Sequence, residues 1–140
     1  MANVAHQSGV PMTDLTFPQF IESLGELHDA RLIRMQWLPQ DERFEIEVAD
    51  MYSNFLGLPE YPGAARGMFT FSGVSALDVS VVLKVERLTI YGWEFDAAGT
   101  SNILFSPGGR IVVACNQILC TSGSEGKRMW PPIESSRESS

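Results

Sequence analysis

His28 and Asp29 are adjacent and are of the residue types that most often carry acid–base or metal chemistry. A carboxylate beside a histidine can orient a general base, and the pair can hold a metal ion. A metal site needs three or four converging ligands, however, and the only other histidine is His6. The structural alternative is that His28 meets the last carbonyls of a helix and Asp29 binds turn amides. The pair therefore predicts a polar junction, or a pocket shared with Trp93, and assigns no catalytic residue, metal or cofactor.

Two further pairs are weaker candidates for chemistry. Glu45 and Glu47 alternate on one predicted strand face beside Arg43, which is more typical of a solvated face than of a glycosidase pair. Cys115 lies in an apolar strand, where a thiol is usually inert. Cys120 is five residues further on, and that odd spacing places the two thiols on opposite faces of a single strand, which disfavours a disulfide. These patterns favour a protein without catalytic residues in a reducing compartment, the cytoplasm.

The net charge of −7 is concentrated in the first half of the chain. Residues 14–60 hold 10 acids and three arginines, which gives −7, and the rest of the chain is neutral. Such a segment repels phosphate backbones and anionic lipid, so nucleic acids and membrane surfaces are excluded as partners. It is compatible with a basic protein partner, or simply with a face that maintains solubility. The predicted partner-binding residues are Asp41, Glu42, Glu45, Glu47 and Asp50.

One helix near the N-terminus is the clearest element. Thr16 and Gln19 have the spacing of a capping box, which marks a helix start. An apolar stripe at helical spacing follows, formed by Phe17, Phe20, Ile21, Leu24 and Leu27. Gly25 weakens the last turn, so the helix is predicted to end near His28.

The rest of the folded region has the period of two that is typical of strands. Apolar residues alternate with polar or charged ones over 33–37 and 43–48, around a turn that contains Pro39. In a later strand, Ile90 is predicted on one face with Leu88, while Tyr91, Trp93 and Phe95 share the other. The prediction is a β-rich α+β fold of about seven antiparallel strands with one N-terminal amphipathic helix. Whether the strands form one curved sheet or two packed layers stays open.

Composition divides the chain into three parts. Residues 1–13 are predicted to be a flexible arm, 14–120 a single globular domain, and 121–140 a flexible tail rich in Ser and Glu. Trp130 is the one large apolar residue of that tail. The sequence contains no signal-peptide pattern and no apolar run long enough to span a membrane, which again favours a cytoplasmic protein.

The segment 27–32, LHDARL, follows the predicted helix and precedes an alternating strand. In this it resembles a group of small bacterial proteins with a His-Asp-Ala junction, some of which are classed as immunity-like proteins of polymorphic toxin systems. The segment 68–74, MFTFSGV, resembles the middle strand of that group. The resemblance implies a cytoplasmic protein that neutralises a toxin by contact, and it carries over no catalytic residue.

The sequence leaves three functions open. The first is a non-catalytic protein-binding domain, of immunity-like type, that meets a basic partner through its acidic face. The second is a small-ligand-binding protein or hydrolase-like enzyme with a pocket near His28 and Asp29. The third is a structural homodimer without a ligand.

Overall fold

We analysed a computed structural model that describes residues 16–51, 65–81, 88–123 and 126–131. It contains one α-helix, two short 3₁₀ helices and nine strands. No helix in these ranges has the length and apolar composition needed to cross a membrane. In chain order, the elements are α1 Phe17–Ser23, a 3₁₀ helix Gly25–Leu27, β1 Leu32–Leu38, a 3₁₀ helix Pro39–Asp41, β2 Arg43–Val48, β3 Gly67–Ser72, β4 Ala76–Val81, β5 Thr89–Phe95, β6 Ser101–Ser106, β7 Gly109–Ala114, β8 Gln117–Ser122 and β9 Lys127–Trp130.

The start of α1 is set by local hydrogen bonds. The backbone N–H of Gln19 donates to Thr16 Oγ1 over 3.3 Å, and the backbone N–H of Thr16 donates to Gln19 Oε1 over 2.9 Å. The predicted capping box is therefore confirmed. The predicted helix end near His28 is wrong, because α1 stops at Ser23. Three successive residues from Gly25 have positive φ, which an α-helix cannot accommodate.

The strands form two antiparallel sheets, as the β-rich α+β prediction allowed. One sheet has the order β1-β2-β3-β8-β9 and the other β4-β7-β6-β5. The described residues form nine strands, where about seven were predicted. The added strand β9 and the last part of β8 lie in the segment predicted as a flexible tail.

The folded body thus extends past the predicted boundary at Cys120. Trp130, in β9, places its ring 5.0 Å from the ring of Phe17 in α1, so this part of the tail is anchored by aromatic packing. The prediction of a flexible tail is corrected for 121–123 and 126–131. Residues 1–13 and 132–140, predicted to be flexible, lie outside the described residues.

The two sheets are joined through a shared corner. β3 leads into β4 and β7 leads into β8, so the paired strands pass together from one sheet to the other. At the corner, the Asn116 N–H donates to the Ser72 carbonyl over 2.9 Å. Gly73 lies opposite Asn116 and has φ +64°. A Cβ atom at Gly73 would be 2.6 Å from Asn116 Nδ2. The close approach and the left-handed backbone together require glycine.

A second connection joins the outer strands β1 and β5. Ile90 of β5 makes two backbone hydrogen bonds with the helix–strand junction, each over 2.8 Å. Its N–H donates to the Ala30 carbonyl, and its carbonyl accepts from the Asp29 N–H. Arg31 and Thr89 form a bridge beside these bonds. The 28–31 junction is therefore a structural joint between the two sheets.

The core lies between the sheets and is closed on one side by α1. Alternate residues of β2, β3, β6 and β7 point into it, and Ile46, Phe69 and Ile111 are completely buried. Phe17 of α1 packs its ring 5.7 Å from that of Trp93. Each large side chain buried in this way stabilises the fold by about 1.5–3 kcal/mol.

A bulge in β5 changes which residues face the core. Ile90 pairs with Phe105, but the register then shifts, and Gly92 pairs with Leu104. Tyr91 is consequently 62% exposed, whereas Trp93 is 2% exposed. The prediction that Tyr91 and Trp93 share a face is wrong, because the extra residue of a bulge reverses the alternation.

Candidate functional site

His28 and Asp29 lie side by side where the helical segment meets β1, and both side chains reach solvent. His28 Nδ1 is 2.8 Å from the carbonyl oxygen of Tyr91, and His28 Nε2 is 3.6 Å from Asp29 Oδ1. The His28 and Tyr91 rings meet edge to face at 5.7 Å. The histidine thus binds a β5 carbonyl rather than the last carbonyls of the helix. This is the contact of a side chain that holds the helix–strand joint against β5.

Trp93 does not join this pair. It is buried among the rings of Phe17, Phe69 and Phe71. Its indole Nε1 is buried and has no hydrogen-bond partner in the described structure. The β5 bulge places Tyr91, not Trp93, beside His28. The predicted pocket shared by His28, Asp29 and Trp93 is therefore not formed by the described residues.

The two glutamates of β2, Glu45 and Glu47, already form ion pairs with arginines. Glu47 Oε1 is 3.2 Å from Arg34 Nε, and its Oε2 is 3.4 Å from Arg66 Nη1. Glu45 lies 3.3 Å from Arg43 Nε and 3.8 Å from Arg34 Nη2. Both glutamate side chains are mostly buried, at 17% and 16% exposure. Most of the negative charge that the sequence assigns to this strand is therefore neutralised.

The other three predicted partner-binding acids sit around the same strand. Asp41 Oδ2 lies 3.7 Å from Arg43 Nη2. Asp50 Oδ1 accepts a hydrogen bond from the backbone N–H of Ala65 over 3.3 Å, which is a structural role. Glu42 is exposed at the β1–β2 turn with left-handed backbone. The five predicted residues do not form one continuous unpaired acidic face.

Three other carboxylates, which have no ion-pair partner among the described residues, line a groove between α1 and β5. Glu22 and Glu26 from the α1 end and Glu94 from β5 line it, and we call this feature the acidic groove. Its volume is about 300 Å³. All three side chains are exposed, and within the described residues no arginine or lysine lies within ion-pair distance of them. The remaining lining residues are Pro18, Gln19, Ile21, Trp93 and Phe95.

Local backbone features bring these carboxylates together. Glu26 has φ 57°, because α1 has ended, and its Oε1 lies over β5, 3.6 Å from the place where a Gly92 Cβ would be. Among the described residues, no three acidic, histidine or cysteine side chains are placed to share a metal ion. The groove presents negative charge beside the half-buried ring of Phe95, which suits organic cations.

Sequence reasoning did not identify the acidic groove. The available signal was that Glu22 and Glu26 fall outside the apolar stripe of the helix. Glu94 is distant in sequence, and its position beside them depends on the β5 bulge.

Another cavity, of about 650 Å³, lies on the outer face of the β1-β2-β3-β8-β9 sheet. Its lining residues include Thr70 and Ser72, which carry hydroxyl groups, and Asn116 and Gln117, which carry amides. None of the residues predicted for a pocket, His28, Asp29 or Trp93, lines it.

Both cysteines are free thiols. Cys115 lies between β7 and β8 rather than inside one strand, and burial raises its pKa. Cys120 is fully buried on the core side of β8, and burial raises its pKa further. A raised pKa keeps a thiol protonated at neutral pH, so neither residue has the character of a nucleophile.

Comparison of the chain with protein-family models, with curated proteins and with solved structures found no match.

Proposed function

We propose that this protein is a non-catalytic binding domain for a basic protein partner, and that it acts in the cytoplasm as an immunity-like protein does. The observation that carries the proposal is the acidic groove. Its three carboxylates, from Glu22, Glu26 and Glu94, have no basic neighbour among the described residues, and the half-buried ring of Phe95 lines the same recess.

The carboxylates of the acidic groove attract a basic partner more strongly than those of β2 do. The arginines that pair with Glu45 and Glu47 offset much of the attraction of these two carboxylates for a lysine or arginine of another protein. No arginine or lysine among the described residues pairs with the carboxylates of the groove. We therefore move the proposed contact surface from the β2 segment to the groove between α1 and β5.

The groove also matches the shape of basic side chains. A lysine or arginine has an apolar stem and a charged head. The stem can lie against the half-buried ring of Phe95 while the head meets the carboxylates, and an arginine head stacks favourably on an aromatic ring. The net charge of −7 adds long-range attraction that accelerates the encounter with a basic protein.

The wild-type protein is first used as bait to identify a basic partner. The affinity of that partner is then measured for two triple variants, each of which loses three negative charges. The groove variant is Glu22→Gln/Glu26→Gln/Glu94→Gln. The control neutralises three exposed acids outside the groove: Asp29→Asn, Glu42→Gln and Asp78→Asn. We expect the groove variant to weaken binding by at least about tenfold, or 1.4 kcal/mol, and the control to weaken it much less. Equal loss in both variants, or no loss in the groove variant, contradicts the proposal.

Salt provides a second readout on the same samples. Ion pairs at an exposed groove are screened, so affinity should fall as ionic strength rises. Affinity that is independent of salt would mean that the partner recognises another surface.

A second candidate function, binding of a small polar molecule, is favoured by the outer-face cavity of about 650 Å³. Its hydroxyl and amide groups can fix the orientation of a ligand, as is usual in such sites. A thermal-shift screen of common metabolites tests it, since a specific ligand raises the melting temperature by mass action. A hit whose effect disappears in Thr70→Val supports this function, and a hit that is unaffected by that change does not.

A further inference from the structure

The sheet edges of this fold are protected to very different degrees. β1 and β5 are joined to each other through the Arg31–Thr89 bridge. β9 has only four residues, begins with Lys127 and Arg128, and is followed by Pro131. Short length, positive charge and proline are the usual means by which proteins keep an edge strand from pairing with another chain.

β4 has none of these protections. It is six residues long, Ala76–Val81, and it contains no lysine, arginine or proline. It pairs with β7 in continuous register without a bulge. On its other side, no hydrogen-bonded neighbour occurs among the described residues. An edge of this kind offers a row of unpaired backbone groups to an incoming strand.

The core-facing side chains of β4 are also incompletely covered. Val79 lies opposite Ile111, which is completely buried, yet Val79 is 40% exposed. Trp37, at the end of β1, is 43% exposed and lines the same groove as Leu77 and Val79. The groove has a volume of about 450 Å³. Large apolar side chains beside an open edge mark a surface that a protein partner buries.

We infer that β4 pairs with β4 of a second copy of this chain, antiparallel, about a twofold axis through Val79. In this register Val79 lies opposite its own counterpart, Leu77 lies opposite Val81, and Asp78 lies opposite Ser80. Each apolar side chain meets an apolar one, and the single charge of the strand meets a hydroxyl group. The strand is thus complementary to itself, which is what a twofold interface requires.

Neighbouring registers are less favourable. A shift by one residue places Asp78 opposite Val79. A shift by two in the direction that centres the axis on Asp78 places two carboxylates directly opposite each other, and like charges in that position destabilise a strand pair. This preference for one register is the reason why we assign the edge to a second copy rather than to an unrelated strand.

The experiment is sedimentation equilibrium on the full chain over a range of micromolar concentrations. We expect the wild type to show a reversible monomer–dimer equilibrium. Val79→Lys places two lysines opposite each other across the axis and should raise the dimer dissociation constant at least about tenfold. Because Val79 is partly exposed, the variant should still fold, which thermal unfolding verifies. A wild type that stays monomeric at every concentration overturns the inference.

Two further variants test the register itself. Ser80→Lys is a matched control, because its lysine would face Asp78 of the other copy, so the dimer should persist or tighten. Val79→Glu alone should dissociate, but an equimolar mixture with Val79→Lys should restore a heterodimer. If Val79→Lys still dimerises, or if the mixture remains monomeric, this interface is wrong.

Salt distinguishes this interface from the one in the proposed function. Two copies with a net charge of −7 repel each other, so screening should strengthen the dimer. Binding of a basic partner at the acidic groove should weaken under the same conditions. The two surfaces lie on different strands, so either proposal can fail while the other holds.

Discussion

Reversing the charge of Glu47 tests the electrostatic map on which the proposed function depends. The Glu47 carboxylate bridges Arg34 and Arg66 at 3.2 Å and 3.4 Å, and its side chain is only 16% exposed. In Glu47→Lys, both ion pairs are lost, and a partly buried ammonium group lies beside two guanidinium groups. The β2 face would then carry three arginines and one lysine against Glu45 and Asp41.

The size of the effect follows from these contacts. Exposed ion pairs contribute about 0.2–1 kcal/mol each, and hydrogen bonds to charged groups contribute about 1.5–3 kcal/mol. Because both arginines are substantially exposed, we use values near 1 kcal/mol for each lost pair. Repulsion of the new lysine adds a similar amount, so we expect the free energy of unfolding to fall by about 3 kcal/mol. That is a large part of the stability of a small domain.

The matched comparison is Glu26→Lys in the acidic groove. This carboxylate is exposed and has no basic neighbour among the described residues, so the change should alter stability by less than about 0.5 kcal/mol. Urea unfolding followed by tryptophan fluorescence measures both variants, and the slope with urea should remain constant. If Glu47→Lys is as stable as Glu26→Lys, the carboxylates of β2 are not neutralised by their arginines, and the reasoning that moves the partner surface fails.

Three other predictions address the joint, the corner and the thiols. His28→Ala removes the hydrogen bond to the β5 carbonyl and should lower the free energy of unfolding by about 1 kcal/mol; wild-type stability would refute the structural role of the ring. Gly73→Ala should cost about 2–3 kcal/mol, from left-handed backbone and from contact with Asn116, and Asn116→Gly should recover part of this loss in a double-mutant cycle. Absence of any recovery would show that the contact contributes nothing. In the native protein, Cys120 should resist a thiol reagent until denaturant is added, whereas Cys115 should react slowly; rapid labelling of Cys120 would contradict its burial.

The features that sequence could predict are those determined by near neighbours. Thr16 and Gln19 are three residues apart, so their capping box is visible in the sequence. The alternation of Phe44, Ile46 and Val48 with charged residues predicts both a strand and its buried face, and all three are buried. These local patterns were sufficient for the β-rich antiparallel fold with one N-terminal helix.

The charge distribution could not be predicted in this way. Glu47 is 19 residues from Arg66, and nothing near it in sequence shows that the two form an ion pair. Glu94 is likewise far from Glu22 and Glu26, and meets them only because β5 packs against α1. The bulge before Gly92 is a third example, since one extra residue places Tyr91 and Trp93 on opposite faces of β5, and nothing in the composition of the strand indicates it. Counting charges along the chain therefore does not show that arginines pair with the carboxylates of β2.

The shared corner has a consequence for how the molecule opens. β3 and β4 are one nearly continuous segment, β7 and β8 are another, and the two are paired through the bend at Gly73 and Asn116. Neither sheet can unfold alone without breaking backbone hydrogen bonds of a strand pair that continues into the other sheet. Backbone amides of Phe71 and Val113, one in each sheet, should then exchange with deuterium at similar rates, through a single cooperative opening of the whole body.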